Sequence, residues 1–424
     1  MSKRIFLVLL SVTFSIVTFS QSRIDLEVSN IETKVIDWYR DIHEHPELSN
    51  REFRTSQLIA EHLKELGLEV KTGIAHTGVI GLLKGSQKGP TIAFRADMDA
   101  LPVIENTGLS YASKAKNIFD GNEVGVMHAC GHDAHVACLM GAAEILSKMK
   151  DQLKGTIVFV FQPAEEGAPS GEEGGAELMI KEGVFKDLNP EAVFALHTDG
   201  RFDVGTIAIR PNGMLAASDK LEITVTGKQT HGAFPWDGVD PIVVASKIVI
   251  ELQLIPSRQL NMSIAPSLVT IGSIHGGVRG NIIPDQVNMV GTIRTFDTEI
   301  QDDFHKRIKH SVQKIAEASN AIAEVRIIKS NPVTFNDPDL LSLMTSSLKK
   351  TVGEQNLIVP PVEMGAEDFP FFTQKTKGLY FYLGVRTKGK EIVPQHSPKY
   401  YVDEAALAVG VKTLTNLAVD YLNK

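Results

Sequence analysis

Residues 128–135 gather three histidines and one of the chain's two cysteines, in the order His-Ala-Cys-Gly-His-Asp-Ala-His. Imidazole nitrogens and thiolates are ligands that borderline and soft divalent metals prefer. Cys130 and His132 stand two residues apart in a predicted loop before a helix, so both side chains can reach one point. This pair is a candidate metal site. For His128 and His135, a helix cap or a supporting hydrogen bond is the preferred interpretation.

Two adjacent carboxylates, Glu165 and Glu166, lie in the sequence Gln-Pro-Ala-Glu-Glu-Gly directly after a predicted buried strand. Adjacent acids most often mark a solvated loop, but two like charges held at the end of a buried strand favour a nearby cation. Neighbouring side chains point in different directions, so one can bind a metal while the other faces a water molecule. Metal-assisted hydrolysis requires that division of roles.

Two further histidines and two further acids are weaker candidates. His197 ends a predicted apolar strand, where a histidine is more often a satisfied core residue. His396 precedes Ser-Pro and carries no signal by itself. Asp97 and Asp99 stand two residues apart at the end of another predicted strand, where an ordinary solvated turn is the alternative.

The elements predicted around these residues bring them to one edge of a sheet. Apolar runs at 91–95, 156–161 and 192–196 predict strands, and helical periodicity is present at 55–68 and 135–149. Near-continuous apolar strands alternating with helices are typical of an α/β fold, with a mainly parallel sheet covered by helices on both faces. Ligands bind at the carboxyl ends of the strands in such sheets, and the candidate acids and His197 follow strand ends.

The pattern changes in the middle of the chain. Strands are predicted at 221–227, 267–274, 287–296 and 323–329, with helices at 241–254 and 299–318. The order β-α-β-β-α-β is that of a ferredoxin-like α+β domain. We therefore predict an inserted lid or dimerisation domain over residues 214–330. The catalytic domain is then discontinuous and consists of residues 21–213 and 331–424.

The composition and the first twenty residues restrict the class to which the protein can belong. The chain has 424 residues and a net charge of −8, which favours two domains and argues against a nucleic-acid partner. Lys3 and Arg4 precede an uncharged apolar run and a small-residue cleavage pattern, which predicts a signal peptide over residues 1–20. A membrane anchor would need about 20 apolar residues, more than this run offers. We expect an exported protein, periplasmic or secreted, without a stable membrane anchor.

Export would expose the two cysteines, Cys130 and Cys138, to an oxidising compartment. On one helix their Cα atoms would lie about 12 Å apart, whereas a disulfide needs about 7 Å or less. We therefore predict no bridge between them. Cys138 is interpreted as a helix-core residue and Cys130 as reactive or metal-bound.

Five separated motifs together resemble the co-catalytic metallohydrolases of the aminoacylase and carboxypeptidase superfamily. Within it, the chain resembles the branch of hippurate hydrolases, auxin-conjugate amidohydrolases and N-acetyldiaminopimelate deacetylases, which carries cysteine where more distant relatives use aspartate. The motifs are His-Glu-His-Pro-Glu-Leu at 43–48, Arg-Ala-Asp-Met-Asp at 95–99, Met-His-Ala-Cys-Gly-His-Asp at 127–133, Gln-Pro-Ala-Glu-Glu-Gly at 162–167 and Gly-Ala-Glu-Asp-Phe at 365–369. The resemblance runs from about His43 to Glu404.

The resemblance implies two divalent metal ions per subunit. The implied ligands are Cys130, which would bridge the two ions, and His132, Glu166, His197 and His396. Glu165 would be the general base that deprotonates the attacking water. Asp99 would orient a ligand or the base, with Asp97 as the alternative. Mixed sulfur, nitrogen and oxygen ligation suits zinc, manganese or cobalt and does not choose among them.

The resemblance also implies substrate contacts in the inserted domain. His231 would stabilise the oxyanion, in its own subunit or in that of a homodimer partner, and Asn281 and Arg279 would hold the substrate carboxylate. The implied reaction is hydrolysis of the amide bond of an N-acyl amino acid. A dipeptidase or carboxypeptidase with the same centre is the alternative among enzymes, and a binding protein on an inactive scaffold is the alternative outside them.

Three segments depart from this branch and are candidates for lining the acyl pocket. Residues 198–201 (Thr-Asp-Gly-Arg) form a shorter and more polar turn, Trp236 stands where a histidine is common, and residues 116–126 are longer than usual. The resemblance therefore leaves the acyl group and the amino acid open.

Overall fold

The computed structural model describes the backbone of residues 2–424 and the side chains of residues 23–424. The signal peptide predicted over residues 1–20 lies outside the residues whose side chains are described and stays a prediction. Among the residues searched, which are the described ones, no helix is both long enough and apolar enough to cross a membrane.

Helices form where the sequence shows helical periodicity, and a long helix precedes them. They are α1 (Ser2–Glu44), α2 (Phe53–Glu65), α3 (His132–Lys148), α4 (Gly175–Lys181), α5 (Pro241–Leu254), α6 (Thr298–Ala318), α7 (Pro338–Val352), α8 (Pro370–Thr373) and α9 (Ala405–Leu422). The predictions at 55–68 and 135–149 correspond to α2 and α3. The helix α1 was not predicted.

The strands include nearly all of the predicted apolar runs, and most of them are longer than predicted. They are β1 (Glu69–Ile74), β2 (Gly78–Lys84), β3 (Gln87–Asp97), β4 (Lys116–Phe119), β5 (Asn122–Gly125), β6 (Lys154–Gln162), β7 (Ala192–Asp203), β8 (Ile207–Ala208), β9 (Asn212–Leu215), β10 (Ala217–Thr226), β11 (Thr230–His231), β12 (Ser267–Gly276), β13 (Ile282–Ile283), β14 (Gln286–Thr295), β15 (Ile322–Asn331), β16 (Thr334–Asn336), β17 (Leu357–Ile358) and β18 (Lys377–Arg386).

The chain divides into two compact units. The first comprises the residues up to Asn212 together with Asn336–Pro360 and Phe371–Lys424, and the second comprises Gly213–Phe335 and Pro361–Pro370. The insertion was predicted over residues 214–330. The second unit also takes in a later segment, because the backbone of Glu363 exchanges hydrogen bonds with that of residues 214 and 216, at 3.1 and 3.0 Å.

The first unit is built on an eight-stranded sheet in the order β1-β2-β6-β3-β7-β18-β8-β17. The four central strands β6, β3, β7 and β18 run parallel to one another, and antiparallel strands flank them. The helices α1, α3, α7 and α9 pack against one another, and α3 and α9 also contact the sheet. The predicted α/β class with a mainly parallel sheet is confirmed.

The second unit has an antiparallel four-stranded sheet in the order β12-β14-β10-β15, on which α5 and α6 pack. The chain order β10-α5-β12-β14-α6-β15 is the ferredoxin-like order read from the sequence. Asp219 on β10 is buried and accepts hydrogen bonds from Gln301 at 2.9 Å and His305 at 2.6 Å, both on α6. These bonds satisfy the buried carboxylate and fix the helix on the sheet.

In the first unit, the start of α3 is held by a buried histidine from the end of α1. His43 Nδ1 donates to Asp133 at 2.6 Å, and its Nε2 donates to Glu105 at 3.2 Å. Burial opposes the charged imidazolium, but the two carboxylates outweigh it and raise the pKa of His43 to about 9. The folded protein therefore holds this proton more tightly than the unfolded chain does, whose histidine pKa is about 6.5.

We expect the free energy of unfolding of the metal-free protein to fall as the pH rises through this interval. A raised folded-state pKa gives a stabilisation that is fully present below about pH 6.5 and is lost above the folded value of about 9. Its size is on the order of 3 kcal/mol. Replacing His43 with Gln should flatten this part of the pH profile, as measured by urea unfolding between about pH 6 and pH 10.

His45→Gln is the matched control, because His45 is exposed two residues further along and should keep the wild-type slope. A His43→Gln profile parallel to that of the wild type would show that the pair does not couple protonation to folding.

Candidate metal centre

One buried carboxylate, Asp99, collects hydrogen bonds from three separate segments of the first unit. It accepts from His132 Nδ1 at 3.2 Å, from Ser49 Oγ at 2.8 Å, and from the backbone N–H groups of Glu165 and Glu166 at 3.1 and 3.0 Å. Burial would raise the pKa of Asp99, but the bonds from His132, the backbone and Ser49 outweigh it and lower the pKa. Asp99 is therefore an anion, and its hydrogen bonds hold the predicted ligand His132 next to the loop of Glu165 and Glu166.

The bond to Asp99 fixes the orientation of the His132 ring. Because Nδ1 donates to the carboxylate, Nε2 is the nitrogen left for a metal ion, and it is buried without a hydrogen-bond partner among the described residues. Burial opposes the charged ring, but the carboxylates of Asp97 and Asp99 raise the pKa of His132 to about 10, so a metal ion at Nε2 would replace a proton. A carboxylate behind a histidine whose other nitrogen is open is the usual arrangement of a metal-binding histidine.

Cys130 and His197 face each other beside this histidine. Cys130 Sγ lies 3.5 Å from His197 Nε2, and His197 Nδ1 donates to the backbone carbonyl of Thr198 at 2.8 Å. The Nε2 lone pair of His197 therefore points at the thiol. Sulfur and nitrogen atoms at this separation can ligate one metal ion, since each bond to a zinc-like ion is about 2.0–2.3 Å long.

Glu166 and His396 complete the group. Ligand-type atoms of Cys130, Glu166 and His396 lie within 4.8 Å of one another, and His396 Nε2 is 3.0 Å from Glu166 Oε1. The backbone N–H of His396 donates to the carbonyl of Ala129 at 2.7 Å, which ties this distant loop to the cysteine loop. The structure thus brings all five predicted ligands together.

Thr198 connects the cysteine loop to β7. Its hydroxyl donates to the carbonyl of Cys130 at 3.0 Å and accepts from Tyr400 at 3.0 Å. Gly131, between Cys130 and His132, has φ +90°, and a Cβ there would overlap the Thr198 hydroxyl. Only glycine lets the two ligands approach β7 this closely.

Glu165, the predicted base, sits in a turn that a second buried acid shapes. Glu52 accepts from the N–H of Ala164 at 2.9 Å and from Thr77 Oγ1 at 2.6 Å, and Ala164 adopts the left-handed φ of +52°. Burial and the nearby charge of Asp99 raise the pKa of Glu52 to about 8. Glu165 is itself mostly buried and lies beside His132, with Oε2 at 3.9 Å from Nε2.

The remaining histidines of the motif differ from one another. His135 donates from Nδ1 to Asp97 and accepts at Nε2 from the N–H of Thr198 at 2.8 Å, so both nitrogens are engaged. Asp97 also pairs with Arg95 at 2.7 Å. The supporting hydrogen bonds predicted for His135 are present. The supporting hydrogen bond predicted for His128 is wrong, because both ring nitrogens of His128 are buried without a hydrogen-bond partner among the described residues.

Cys130 is buried among negatively charged carboxylates. Burial raises the pKa of the Cys130 thiol well above its usual value, and the carboxylates of Glu166, Glu165 and Asp97 raise it further. The thiolate is therefore unstable here unless cations offset the acids. Sulfur, imidazole and carboxylate donors around a carboxylate-rich buried site fit divalent metal ions.

The predicted substrate contacts lie in the second unit. His231 is on β11, which pairs with β13, and the carbonyl of Asn281 accepts from Gly232 N–H at 2.8 Å. This pairing brings His231 and Asn281 together, with Arg279 in the preceding turn. Trp236 is exposed. The roles predicted for these residues stay predictions.

No role in the centre was predicted from the sequence for Ser49, Glu52, Thr198 or Gln395. Gln395 donates from Nε2 to the carbonyl of Thr198 at 2.8 Å, beside His197. Glu52 and Gln395 stand beside recognised motifs but carry no local signal of their own. Thr198 was singled out only as part of an unusual turn.

Comparison with known proteins agrees with this geometry. The model of peptidase family M20/M25/M40 matches residues 93–420. The chain is 41% identical to thermostable carboxypeptidase 1 of Saccharolobus solfataricus over 94% of this chain and 98% of that protein. It is 36% identical to N-acetyl-L-cysteine deacetylase of Bacillus subtilis, over 92% and 89% of the two chains.

A solved structure extends the likeness to the fold. A protein of Bacillus subtilis described as a dinuclear metal binding peptidase from the M20 family superposes with a TM-score of 0.80 at 34% identity, covering 93% of this chain and 99% of that chain. Since the family model spans most of the described residues and these relatives match nearly end to end, the chain belongs to peptidase family M20/M25/M40.

Proposed function

We propose that this protein is an exported, metal-dependent amidohydrolase that hydrolyses the amide bond of N-acyl amino acids. The family and its relatives are those of metal-dependent hydrolases. The observation that carries the proposal is the buried cluster itself. It joins the open Nε2 of His132 to Cys130, His197, Glu166 and His396, and sets the carboxylate of Glu165 beside them.

The residues of the cluster fit two divalent ions. The residues that would hold the ions are Cys130, as the bridging ligand that the resemblance implies, and His132, Glu166, His197 and His396. Ligand-type atoms of Cys130, Glu166 and His396 form one group, and His132 and His197 belong to a second that also contains Asp97 and His135. When bound, the ions supply Lewis acidity toward the amide carbonyl and the attacking water.

The chain's own groups supply the proton transfers. Glu165 accepts the proton of the attacking water at a carboxylate oxygen and returns it to the leaving nitrogen. Asp99 and Glu52 hold the backbone on either side of this turn, so the carboxylate does not swing away. Pre-positioning of this kind lowers the entropic part of the barrier.

The second candidate is a carboxypeptidase or dipeptidase with the same centre. It is favoured by the 41% identity to a protein named as a carboxypeptidase. Both reactions cleave an amide next to a free carboxylate, so the centre serves either. The relative named as an N-acetyl-L-cysteine deacetylase supports the acyl amino acid.

A homodimer is part of the proposal. Val243, Ile250 and Leu254 are exposed on one face of α5, with Ile250 at 65%, and β12 is an open edge of its sheet. An exposed apolar helix face beside an open strand edge is typical of a surface that pairs with a second copy.

We expect the metal-loaded protein to release amino acids from N-acetyl and N-benzoyl amino acids. Glu165→Gln should lower kcat by about 10³-fold, because the amide cannot accept the proton. Bound metal, measured by elemental analysis, should be unchanged. Glu173→Gln, an exposed acid in the same loop region, is the matched control and should keep full activity.

Retained activity in Glu165→Gln would remove Glu165 as the base. Efficient cleavage of dipeptides with no action on acyl amino acids would favour the peptidase instead.

Gly131→Ala should weaken metal binding. The added Cβ meets Thr198, so Cys130 and His132 must move apart from β7. We expect about a 10- to 100-fold loss of affinity, the range seen when the surroundings of a metal site are disturbed. Competition with a chromophoric chelator measures it. Gly108→Ala is the control, because Gly108 has a similar φ of +78° and no described atom within 4 Å of the added Cβ. Equal affinities in the two variants would show that the contact with Thr198 does not matter.

Ile250→Glu should convert the dimer to a monomer at micromolar concentration, because a charge would replace an apolar contact at the centre of the α5 face. Light scattering after size exclusion gives the mass. Lys309→Glu, at an exposed position on α6, should leave the dimer intact. A wild-type protein that is itself monomeric would contradict the proposal.

A further inference from the structure

A cavity of about 280 Å³ adjoins the candidate centre within the first unit. Glu166, a predicted ligand, lines one part of it. Most of the other lining side chains are apolar: Leu48, Ala100, Leu101, Pro102, Ile118 and Phe119. The cavity is thus a mainly apolar space that adjoins Glu166, a predicted metal ligand.

One wall is the hairpin β4–β5, in the segment that is longer than usual for the branch. Phe119 and Asn122 pair across a two-residue turn, in which Asp120 and Gly121 have φ +46° and +79°. Positive φ at both turn residues is the type I′ geometry that gives a well-defined hairpin. The base of the hairpin is anchored by Ser113, whose hydroxyl donates to the Val126 carbonyl at 2.7 Å. The hairpin is therefore a fixed wall, yet Ile118 and Phe119 at its tip are exposed.

The opposite wall is the loop that follows Glu166, with Ala168 and Pro169 facing the cavity. Further along this loop, Glu172 accepts from Asn50 at 3.0 Å and from both terminal nitrogens of Arg51, at 3.1 and 2.5 Å. These bonds fix the loop against the segment that carries Ser49, the partner of Asp99.

The charges in the cavity disfavour an anion. Among the described residues that line it, Arg51 is the only one with a basic side chain, and Glu172 already occupies its guanidinium. Asp120 and Glu166 add negative charge. The free carboxylate of an N-acyl amino acid would be repelled here, whereas an uncharged apolar group would cover Ile118 and Phe119.

The size of the cavity sets the size of its occupant. An apolar cavity of about 150 Å³ holds a benzene ring. The larger volume here accommodates a benzoyl or indole-sized group, or an aliphatic chain of similar bulk, and leaves an acetyl group with few contacts.

We propose that this cavity is the acyl subsite of the enzyme, and that Ile118 and Phe119 select bulky apolar acyl groups over acetyl. The inference rests on the proposed function, since it names the acyl class of the same site. The acyl chain lies between the hairpin and the loop 167–169, and the scissile carbonyl lies at Glu166.

The test compares kcat/KM across one amino acid carrying acetyl, butanoyl, hexanoyl or benzoyl. The value should rise about fourfold for each added methylene until the cavity is filled. Phe119→Ala should lower the benzoyl-to-acetyl ratio about tenfold, since a ring contact is lost. Lys116→Ala, on the same hairpin and outside the lining, should keep the wild-type ratio.

A Phe119→Ala ratio equal to that of the wild type overturns the subsite. The subsite is also overturned if Phe119→Ala changes the preference among amino-acid side chains when the acyl group is kept constant. That result would assign the cavity to the amino-acid half of the substrate. Hydrolysis of acetyl substrates without any dependence on acyl size overturns the subsite alone.

A failure of the proposed function would appear as no hydrolysis of any acyl amino acid. A binding measurement tests the subsite independently of that outcome. Benzamide, an uncharged acyl fragment, is titrated into zinc-loaded protein and followed by saturation-transfer NMR. Binding should weaken several-fold in Phe119→Ala and stay unchanged in Lys116→Ala. Equal binding in the wild type and Phe119→Ala overturns the subsite whatever the activity.

Discussion

The buried carboxylate of Asp99 is the constraint on which the rest of the centre depends. An anion in this position is stable only when donors surround it, and four converge on its two oxygens. One donor is His132, and two are the backbone N–H groups of the Glu-Glu loop. The need to satisfy one buried charge therefore aligns a ligand on α3 with the loop after β6, which are far apart in sequence.

A second acid makes this charge possible. Glu52 is as buried as Asp99 and close enough to repel it, and its pKa of about 8 keeps it protonated at neutral pH. The pKa of Asp99 is instead lowered by its donors. The two acids thus divide their roles: one stays an anion that orients His132, and the other holds the left-handed Ala164 beside Glu165. Strained backbone of this kind persists because the surroundings over-determine it.

The sequence predicted what depends on local pattern. The parallel strands follow from apolar runs, whereas the set of five candidate ligands is implied by the resemblance of separated motifs. Of the five, only Glu166 follows the end of a strand, because β7 continues past His197 to Asp203 and the other three lie outside the strands. The choice between Asp97 and Asp99 could not be made from spacing, because each orients a different histidine and only the packing of α3 on the sheet decides which. Glu52 could not be found, since its partners Thr77 and Ala164 are 25 and 112 residues away. The hairpin β4–β5 was overlooked, although Asp120-Gly121 is a strong turn signal.

The candidate centre and the proposed acyl subsite rest on different parts of the chain. The centre is built from side chains whose charges need one another: the acids raise the pKa of Cys130, so the thiol can ligate only when cations balance the acids. Several of its members are joined through Asp99, so a substitution of that residue disturbs His132 and the Glu-Glu loop together. The hairpin tip has no such ties, because Ile118 and Phe119 are exposed and support no buried charge. If the cavity is the acyl subsite that we propose, a change of acyl group would proceed through the hairpin while the centre stays as it is.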